Sequence, residues 1–178
     1  MSRTTLKHRK MHSLISALVL LGLAALTFWL ARTVRTAEVP SSSMEPTLKP
    51  GDLLLVRVDA YRHAQPRCGD VVVFTDAKRG GLLVKRVIGA PGDEVLVRSG
   101  WVWLNGQPLS EPYAQGGRIF EFPIYARLGQ DEIFVMGDNR DHTEDSRDFG
   151  PVKLSRLLGK VTAIIWPRER RGRLPEVG

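Results

Sequence analysis

Residues 39–48 read VPSSSMEPTL, and from residue 50 the chain continues PGDLLLVRV. The first stretch is a loop rich in hydroxyl groups, and the second is an apolar run that follows a Pro-Gly-Asp turn signal. A serine is a strong nucleophile only when a base removes its proton. Ser43 is our candidate nucleophile, so the rest of the chain must supply a base and hold it beside this loop.

The segment before this loop is long and uncharged: residues 13–31 read SLISALVLLGLAALTFWLA. As a helix, it would extend roughly 28 Å, close to the thickness of a bilayer's hydrocarbon core. A cleaved signal peptide is the alternative interpretation. The run is long for a signal peptide and no clean small-x-small site follows it, so the sequence favours an anchor.

The charges that flank this segment predict its orientation. Residues 1–12 carry Arg3, Lys7, Arg9 and Lys10 and no acidic residue. A more basic flank stays on the cytoplasmic side. We therefore predict a cytoplasmic basic N-terminus over residues 1–12, a transmembrane anchor over residues 13–32 and an extracytoplasmic catalytic domain over residues 33–178.

Short apolar runs separated by glycine and proline follow residue 39, which is typical of strands and turns. The predicted strands are Leu53–Val58, Asp70–Phe74, Leu82–Ile88, Glu94–Arg98, Trp101–Leu104, Asp131–Met136 and Leu158–Trp166. Asn105-Gly106 predicts a type I′ turn into a further short strand. No amphipathic helix is evident, so we predict a mainly β fold: one N-terminal transmembrane helix and an all-β domain of barrel or sandwich kind.

Composition narrows the functional classes. The chain has 178 residues, an apolar fraction of 43% and a formal charge of +7. The basic residues cluster at the two ends rather than on one element with interleaved aromatics, so nucleic acid is not a predicted partner. Cys68 is the one cysteine, which excludes an internal disulfide and a thiolate metal site. We predict no metal and no other cofactor.

Two residue types could activate Ser43. The histidines lie in flanks or polar loops, where a lone histidine is usually solvated; they are His8, His12, His63 and His142. Lys85 instead lies within the predicted strand LLVKRVI, where Leu83 and Val87 share its face. Burial there would lower its pKa toward the range of roughly 7 to 8 that suits a general base. The alternative is an edge-strand lysine whose ammonium group reaches water.

A third stretch, MGDNRDHTEDSR over residues 136–147, is dense in aspartate and arginine. Such a loop is often only solvated and stabilised by Asx-turns. A calcium loop is excluded because Ser146 stands where glycine would be needed. The mixture of Asp138, Asp141 and Asp145 with Arg140 and Arg147 predicts an ion-pair network that makes the loop rigid.

Taken together, three motifs resemble the bacterial type I signal peptidases, a family of membrane proteases with a serine–lysine dyad. The motifs are SSSMEPTL with PGDLLLV, then LVKRVIGAPGDEV, then MGDNRDHTEDSRDFGPV. They occur in the family's order behind one N-terminal anchor. The linker between the second and third motifs is short, as in the compact members of the family.

The resemblance implies roles for six residues. Ser43 matches the nucleophile and Lys85 the general base. Ser41 matches the hydroxyl that joins the Ser43 backbone N–H in the oxyanion hole. Thr143 stands where many members have a serine that orients the lysine, and Asp145 with Arg147 matches a pair that supports the site.

The resemblance also implies the substrate and its setting. The predicted partners are preproteins that carry signal peptides and the lipid bilayer, in a bacterial inner or plasma membrane, with the enzyme acting as a monomer. The segment before the cut would pair as an extended strand with a strand edge. Shallow apolar pockets for small residues such as alanine are expected at Val39, Met44, Leu48 and Val84.

Two alternative functions remain open from the sequence. A specialised relative that processes one pilin-like precursor for conjugation or secretion would use the same residues. A non-catalytic, membrane-anchored β scaffold that binds exported chains belongs to a different class. The presence of both Ser43 and Lys85 argues against the scaffold.

Overall fold

The structure, a computed structural model, describes residues 3–76, 80–117 and 122–174. The chain divides into two units, Met1–Val34 and Arg35–Gly178. The first unit is helix α1 (Arg3–Thr33), and its segment Ile15–Thr33 is long and apolar enough to cross a membrane. The helix begins well before the predicted anchor because residues 3–12 contain neither proline nor glycine to stop it.

The second unit is almost entirely strands and turns. Its strands are β1 (Val34–Glu38), β2 (Leu53–Arg57), β3 (Val71–Thr75), β4 (Leu82–Gly89), β5 (Glu94–Arg98), β6 (Trp101–Leu104), β7 (Gln107–Pro108), β8 (Ile124–Arg127), β9 (Glu132–Met136), β10 (Val152–Lys153), β11 (Leu157–Trp166) and β12 (Gly172–Arg173). One short helix, α2 (Ser146–Phe149), and three 3₁₀ turns at Ser42–Met44, Leu154–Arg156 and Arg168–Arg170 complete it. The prediction of a mainly β fold behind one apolar helix is confirmed.

Two sheets organise these strands. The larger has the order β1-β2-β11-β3-β4-β9-β10, with β12 paired to β11, and the smaller has the order β7-β6-β5-β8. The chain enters the smaller sheet directly from β4, through the turn at residues 90–93. All the pairings between these strands with a resolved register are antiparallel.

Hydrophobic side chains fill both faces of the larger sheet. Along β3, Val71 and Val73 pack into one cluster, whereas Val72 and Phe74 pack into another on the opposite face. A third cluster joins Ile88 and Phe134 of the larger sheet to valines of β5 and β6. Burial on both faces explains why β3 reads as a continuous apolar run rather than as an alternation.

Four strands were not predicted: β1, β8, β10 and β12. β10 and β12 are two residues long, too short to show a periodic pattern. β1 reads VRTAE and lies at an edge of the larger sheet, where polar side chains face water. β8 falls in the stretch that has the least pattern in the sequence, and it forms by pairing with β5.

The predicted hairpin turn has the expected geometry. Asn105 and Gly106 have φ angles of 52° and 78°, the left-handed conformation that a type I′ turn requires at both central positions. The turn connects β6 to β7, which pair from Leu104 to Gln107. A two-residue turn signal therefore predicted both the turn and the strand after it.

Candidate active site

The candidate nucleophile lies in a 3₁₀ turn, Ser42–Met44, that follows β1. Only 9% of Ser43 is exposed. Two backbone hydrogen bonds close the loop around the turn, from the N–H of Val39 to Asp52 O and from the N–H of Gly51 to Val39 O, at 2.9 and 3.0 Å. These bonds tie the two ends of the loop together and help to position the Ser43 hydroxyl.

Lys85 approaches this hydroxyl from β4. Its Nζ donates a hydrogen bond of 2.7 Å to Ser43 Oγ, and 3% of the residue is exposed. On β4, Leu83 and Val87 pack in one cluster with Val72, which lies opposite Lys85 across the β3–β4 pair. The amine thus lies in the apolar surroundings that the strand pattern predicted.

Burial lowers the pKa of Lys85 to about 8, because a charged amine loses hydration energy when protein surrounds it. The carboxylates of Asp145, Asp138 and Glu144 act in the opposite direction and limit the fall. About a tenth of the amine would be neutral at pH 7, compared with well under a thousandth for an ordinary lysine. Lys85 can therefore accept a proton near neutral pH.

Ser41 lies next to the pair. Its hydroxyl donates to Ser43 Oγ at 3.3 Å, so it reaches the space around the nucleophile. The structure brings Ser41, Ser43 and Lys85 together although Lys85 is 42 residues after Ser43 in sequence.

The third motif forms the wall opposite β4. Asp145 is fully buried and caps α2, accepting from the N–H groups of Arg147 and Gly137 at 3.1 and 3.0 Å. The Arg147 guanidinium bonds both Asp145 oxygens at 2.9 Å and also donates to Arg140 O. This pair holds the loop in shape.

A second buried ion pair joins the second and third motifs. Arg86 donates to both oxygens of Asp138 at 2.9 and 2.6 Å, and the two residues are 1% and 0% exposed. The Arg86 guanidinium also stacks on the Tyr113 ring at 3.9 Å. Thr47, from the loop after Ser43, donates to Asp138 at 2.5 Å. Three segments far apart in sequence therefore meet at one carboxylate.

The ion-pair network differs from the prediction in its partners. Of the predicted pairs, Asp145–Arg147 is present. Asp138 pairs with Arg86 of β4, and Arg140 pairs with Glu111 rather than within its own loop. Asp141 accepts the N–H of Gly117. The sequence pattern indicated the charges, but only the fold shows which distant segments they join.

Asn139 and Gly137 connect the third motif to the nucleophile turn. Asn139 donates from its backbone to Ser43 O at 3.1 Å and from its side chain to Ser42 O at 3.2 Å. A Cβ on Gly137 would lie 2.5 Å from Ser43 O and would also overlap Thr143 Oγ1. Glycine at position 137 is therefore what allows the two loops to pack against each other.

Thr143 lies in the third motif, close to Gly137, but its hydroxyl makes no hydrogen bond to the described residues. It is 7% exposed, and its Oγ1 has no hydrogen-bond partner within the described residues. The predicted orienting bond to Lys85 is therefore not present in this structure. A buried hydroxyl without a partner is uncommon and points to a group that binds beside it.

A cavity of about 270 Å³ opens in front of Ser43 and Lys85. Ser41 and Thr143 also line it. Six further lining residues were not among the predicted site residues: Asp76, Leu83, His142, Glu144, Phe149 and Arg156. Leu83 could have been inferred from its shared face with Lys85. Asp76 and Arg156 carried no signal, because the β3–β11 pairing brings them there.

The four predicted pocket residues lie elsewhere. Val39, Met44, Leu48 and Val84 belong to one core cluster and are 2%, 1%, 0% and 6% exposed. They do not line the cavity. In residues 3–76, 80–117 and 122–174, no three histidine, cysteine, aspartate or glutamate side chains are grouped to hold a metal ion.

Comparison with known proteins identifies the family. The family model described as signal peptidase, peptidase S26, matches residues 10–166. The chain is 40% identical over 145 residues to "Probable signal peptidase I-2" of Synechocystis sp., covering 78% of this chain and 66% of that protein. It is 36% identical to "Signal peptidase I" of Leptolyngbya laminosa, covering 88% and 78% of the two chains.

Two further similarities were found. "Signal peptidase I" of Bacillus caldolyticus is 37% identical over 142 residues, covering 72% of this chain and 78% of that one. The crystal structure of a signal peptidase I from Enterococcus faecalis is 29% identical, covers 55% of this chain and 97% of that one, and has a TM-score of 0.48. The resemblance drawn from the three motifs is confirmed: the chain belongs to the signal peptidase family, peptidase S26.

Proposed function

We propose that this chain is a membrane-anchored serine endopeptidase that removes N-terminal signal peptides from exported preproteins. Ser43 is the nucleophile and Lys85 is the general base. The observation that carries this proposal is the 2.7 Å hydrogen bond between Lys85 Nζ and Ser43 Oγ in a buried setting. The family match and the names of the relatives support peptidase activity on signal peptides.

The reaction follows from the positions of these groups. Neutral Lys85 accepts the Ser43 proton as Ser43 Oγ attacks the scissile carbonyl. The Ser41 hydroxyl and the Ser43 N–H stabilise the oxyanion, by ~3–4 kcal/mol per donor in comparable sites. Protonated Lys85 then gives its proton to the leaving amine. The same amine activates water to hydrolyse the acyl-enzyme, which restores Ser43.

The edge of β4 supports an extended substrate. Residues Leu82–Lys85 pair with β3 on one side, but pairing with β9 begins only at Arg86. Within residues 3–76, 80–117 and 122–174, no strand pairs with the other edge of Leu82–Lys85, so an extended substrate could add there beside the nucleophile. Val39, Met44, Leu48 and Val84 would form the shallow pockets for small side chains; in this structure they pack in one core cluster and do not line the cavity in front of Ser43.

The remaining proposed site residues, Asp145, Arg147 and Thr143, act by positioning other residues of the site. Asp145 and Arg147 hold the third motif against the nucleophile turn through Gly137. Thr143 would orient Lys85 once its hydroxyl finds a partner in the occupied site. None of these three needs to contact the scissile bond.

The anchor sets where the reaction takes place. Residues 13–32 would span the bacterial inner or plasma membrane, with residues 1–12 in the cytoplasm and residues 33–178 outside. The helix segment Ile15–Thr33 has the length and composition to do so, and the basic N-terminal flank favours this orientation. Holding enzyme and preprotein at one surface raises their effective concentration. The enzyme is proposed to act there as a monomer.

The first prediction tests the catalytic pair. Ser43→Ala and Lys85→Ala should each lower cleavage of a defined preprotein by at least about a thousandfold. Lys85→Arg should be equally inactive because a guanidinium stays charged. Cleavage by purified full-length protein is measured together with thermal unfolding. Normal turnover in any of the three variants would contradict the assignment.

A panel of unrelated preproteins tests the breadth of the proposed role. Cleavage of many of them is expected of a general signal peptidase. The comparisons do not favour the pilin-specific or scaffold alternatives. Cleavage confined to one precursor would instead indicate a specialised relative.

A further inference from the structure

The cavity in front of Ser43 is lined by residues other than those of the signal-peptide pockets proposed above. Leu83 and Phe149 give it an apolar surface, and the Phe149 ring packs edge-on against Phe74 with centroids 6.5 Å apart. Neither of the two lining residues belongs to the core cluster that contains the proposed pocket residues. The cavity is therefore available to a different part of the substrate.

The proton transfer to the leaving amine indicates which part of the substrate lies in this cavity. Lys85 lines the cavity, and it must deliver its proton to the leaving nitrogen, which then lies about 3 Å from Nζ. That nitrogen is the first atom of the mature chain. The mature chain consequently begins inside this cavity.

An independent observation also points to a ligand here. Thr143 Oγ1 lines the cavity, is part of a residue only 7% exposed, and has no hydrogen-bond partner among the described residues. A buried hydroxyl normally bonds to some group. Polar atoms at the start of the mature chain would supply one.

Two carboxylates and one guanidinium belong to the described lining of the cavity. Glu144 follows Thr143, and Asp76 comes from the end of β3 on another wall. Arg156 is the guanidinium of the described lining, but it bonds the carbonyl oxygen of Thr75 and lies over the Phe74 ring at 5.7 Å. With Lys85 neutral in the reactive form, the described lining carries two carboxylates and one guanidinium.

The field of Glu144 reaches the reacting atoms. Glu144 is among the carboxylates that raise the pKa of Lys85 against the effect of burial. A charge that acts on Nζ also acts on an amine within hydrogen-bonding distance of it. Side chains of the first mature residues lie in the same field.

We propose that this cavity binds the first residues of the mature chain, and that Glu144 and Asp76 make it favour basic over acidic side chains there. The proposal rests on the proposed function, because it takes Ser43 and Lys85 as the reacting pair. It identifies substrates of one kind: preproteins whose mature part begins with neutral or basic residues.

The test uses the full-length protein and three preproteins that differ only in the second mature residue, which is Lys, Gln or Glu. The kcat/KM ratio of the Lys to the Glu substrate should be about fivefold or more at low salt and should fall as salt screens the charges. In Glu144→Gln the ratio should approach one, and in Glu144→Lys it should invert. Asp76→Asn should lower it in the same direction as Glu144→Gln.

The design separates the possible failures. Because each ratio compares two substrates on one enzyme, a change in the pKa of Lys85 caused by the mutation cancels. Glu94→Gln on β5 is the control, since Glu94 pairs with Arg127 and does not line the cavity; its ratio should equal that of the wild type. No cleavage of the Gln substrate by the wild type would overturn the proposed function itself. Cleavage with a ratio of one, or a ratio that neither Glu144 variant changes, would overturn this inference alone.

Discussion

At the scale of single residues, the reactivity of the site depends on the pKa of Lys85, on which burial and nearby carboxylates have opposite effects. Burial favours neutral Lys85, whereas the nearby Asp145 and Asp138 carboxylates favour its cation. Those carboxylates are themselves held by Arg147 and Arg86. Pairing with guanidinium groups limits how strongly they attract the amine's proton, so burial prevails and the pKa of Lys85 falls.

The pH dependence of cleavage tests this balance. The pKa of Lys85 lies below its ordinary value, at about 8, and only the neutral amine accepts a proton. Activity should therefore rise with pH to a plateau above about 8 and fall about tenfold per unit at lower pH. The measurement is a kcat/KM profile on a defined preprotein. An inflection near the ordinary lysine value would contradict the role of burial.

Gly137 gives a second prediction for a single residue. Gly137→Ala should push its new methyl group into Ser43 O and Thr143 Oγ1 and displace the nucleophile. We expect a large loss of kcat together with a lower melting temperature. Gly172→Ala is the matched control, because a Cβ there meets nothing within 4 Å. Full activity in Gly137→Ala would show that the close approach is not needed.

At the scale of elements, the site is held by contacts between segments rather than by one strand or loop. Arg86 on β4 bonds Asp138 after β9, and Thr47 bonds the same carboxylate. Lys85 and Arg86 are neighbours that face opposite sides of the strand. One side of β4 thus carries the proposed base, and the other joins the strand to the third motif.

Removing this junction should destabilise the fold. Asp138→Asn leaves the buried Arg86 guanidinium without a counter-charge, and such a change typically costs ~3–5 kcal/mol of unfolding free energy. Urea denaturation of the variant measures the loss. Asp131→Asn is the matched control, because Asp131 pairs with Lys153 at the surface; it should unfold like the wild type. Equal stability of both variants would contradict a structural role for the pair.

What could be predicted at this scale depended on whether the signal was local. The strand that carries Lys85 and the turn at Asn105-Gly106 were predicted because apolar runs and turn residues act over a few positions. The approach of Lys85 to Ser43 came from the family resemblance, since spacing alone left an exposed lysine open. Asp76 and Arg156 reach the cavity through strand pairing, and no local pattern encodes which strands pair.

At the scale of the whole molecule, the two units have separate tasks in the proposed function. Helix α1 has the length to cross a bilayer, and all the candidate site residues lie in the unit Arg35–Gly178. The proposed anchor should therefore affect how often enzyme and preprotein meet, rather than the chemistry at Ser43.

Deleting residues 1–33 tests this separation. The remaining chain should fold and cleave a soluble peptide at the full-length rate. It should be much slower than the full-length protein on a preprotein in liposomes, because the gain in effective concentration is lost. Rates on both substrates and sedimentation with liposomes measure the effect. Equal rates on the liposome-bound preprotein would contradict an anchoring role.

The smaller sheet, β7-β6-β5-β8, contains no candidate site residue. It begins directly after β4, and its β6–β7 turn at Asn105-Gly106 is exposed, with nothing within 4 Å of a Cβ placed on Gly106. Lengthening a surface connection costs little free energy, and the cost grows only slowly with its length. The β6–β7 turn is therefore a position at which evolution could enlarge the enzyme, or an engineer could graft a reporter, without altering its chemistry.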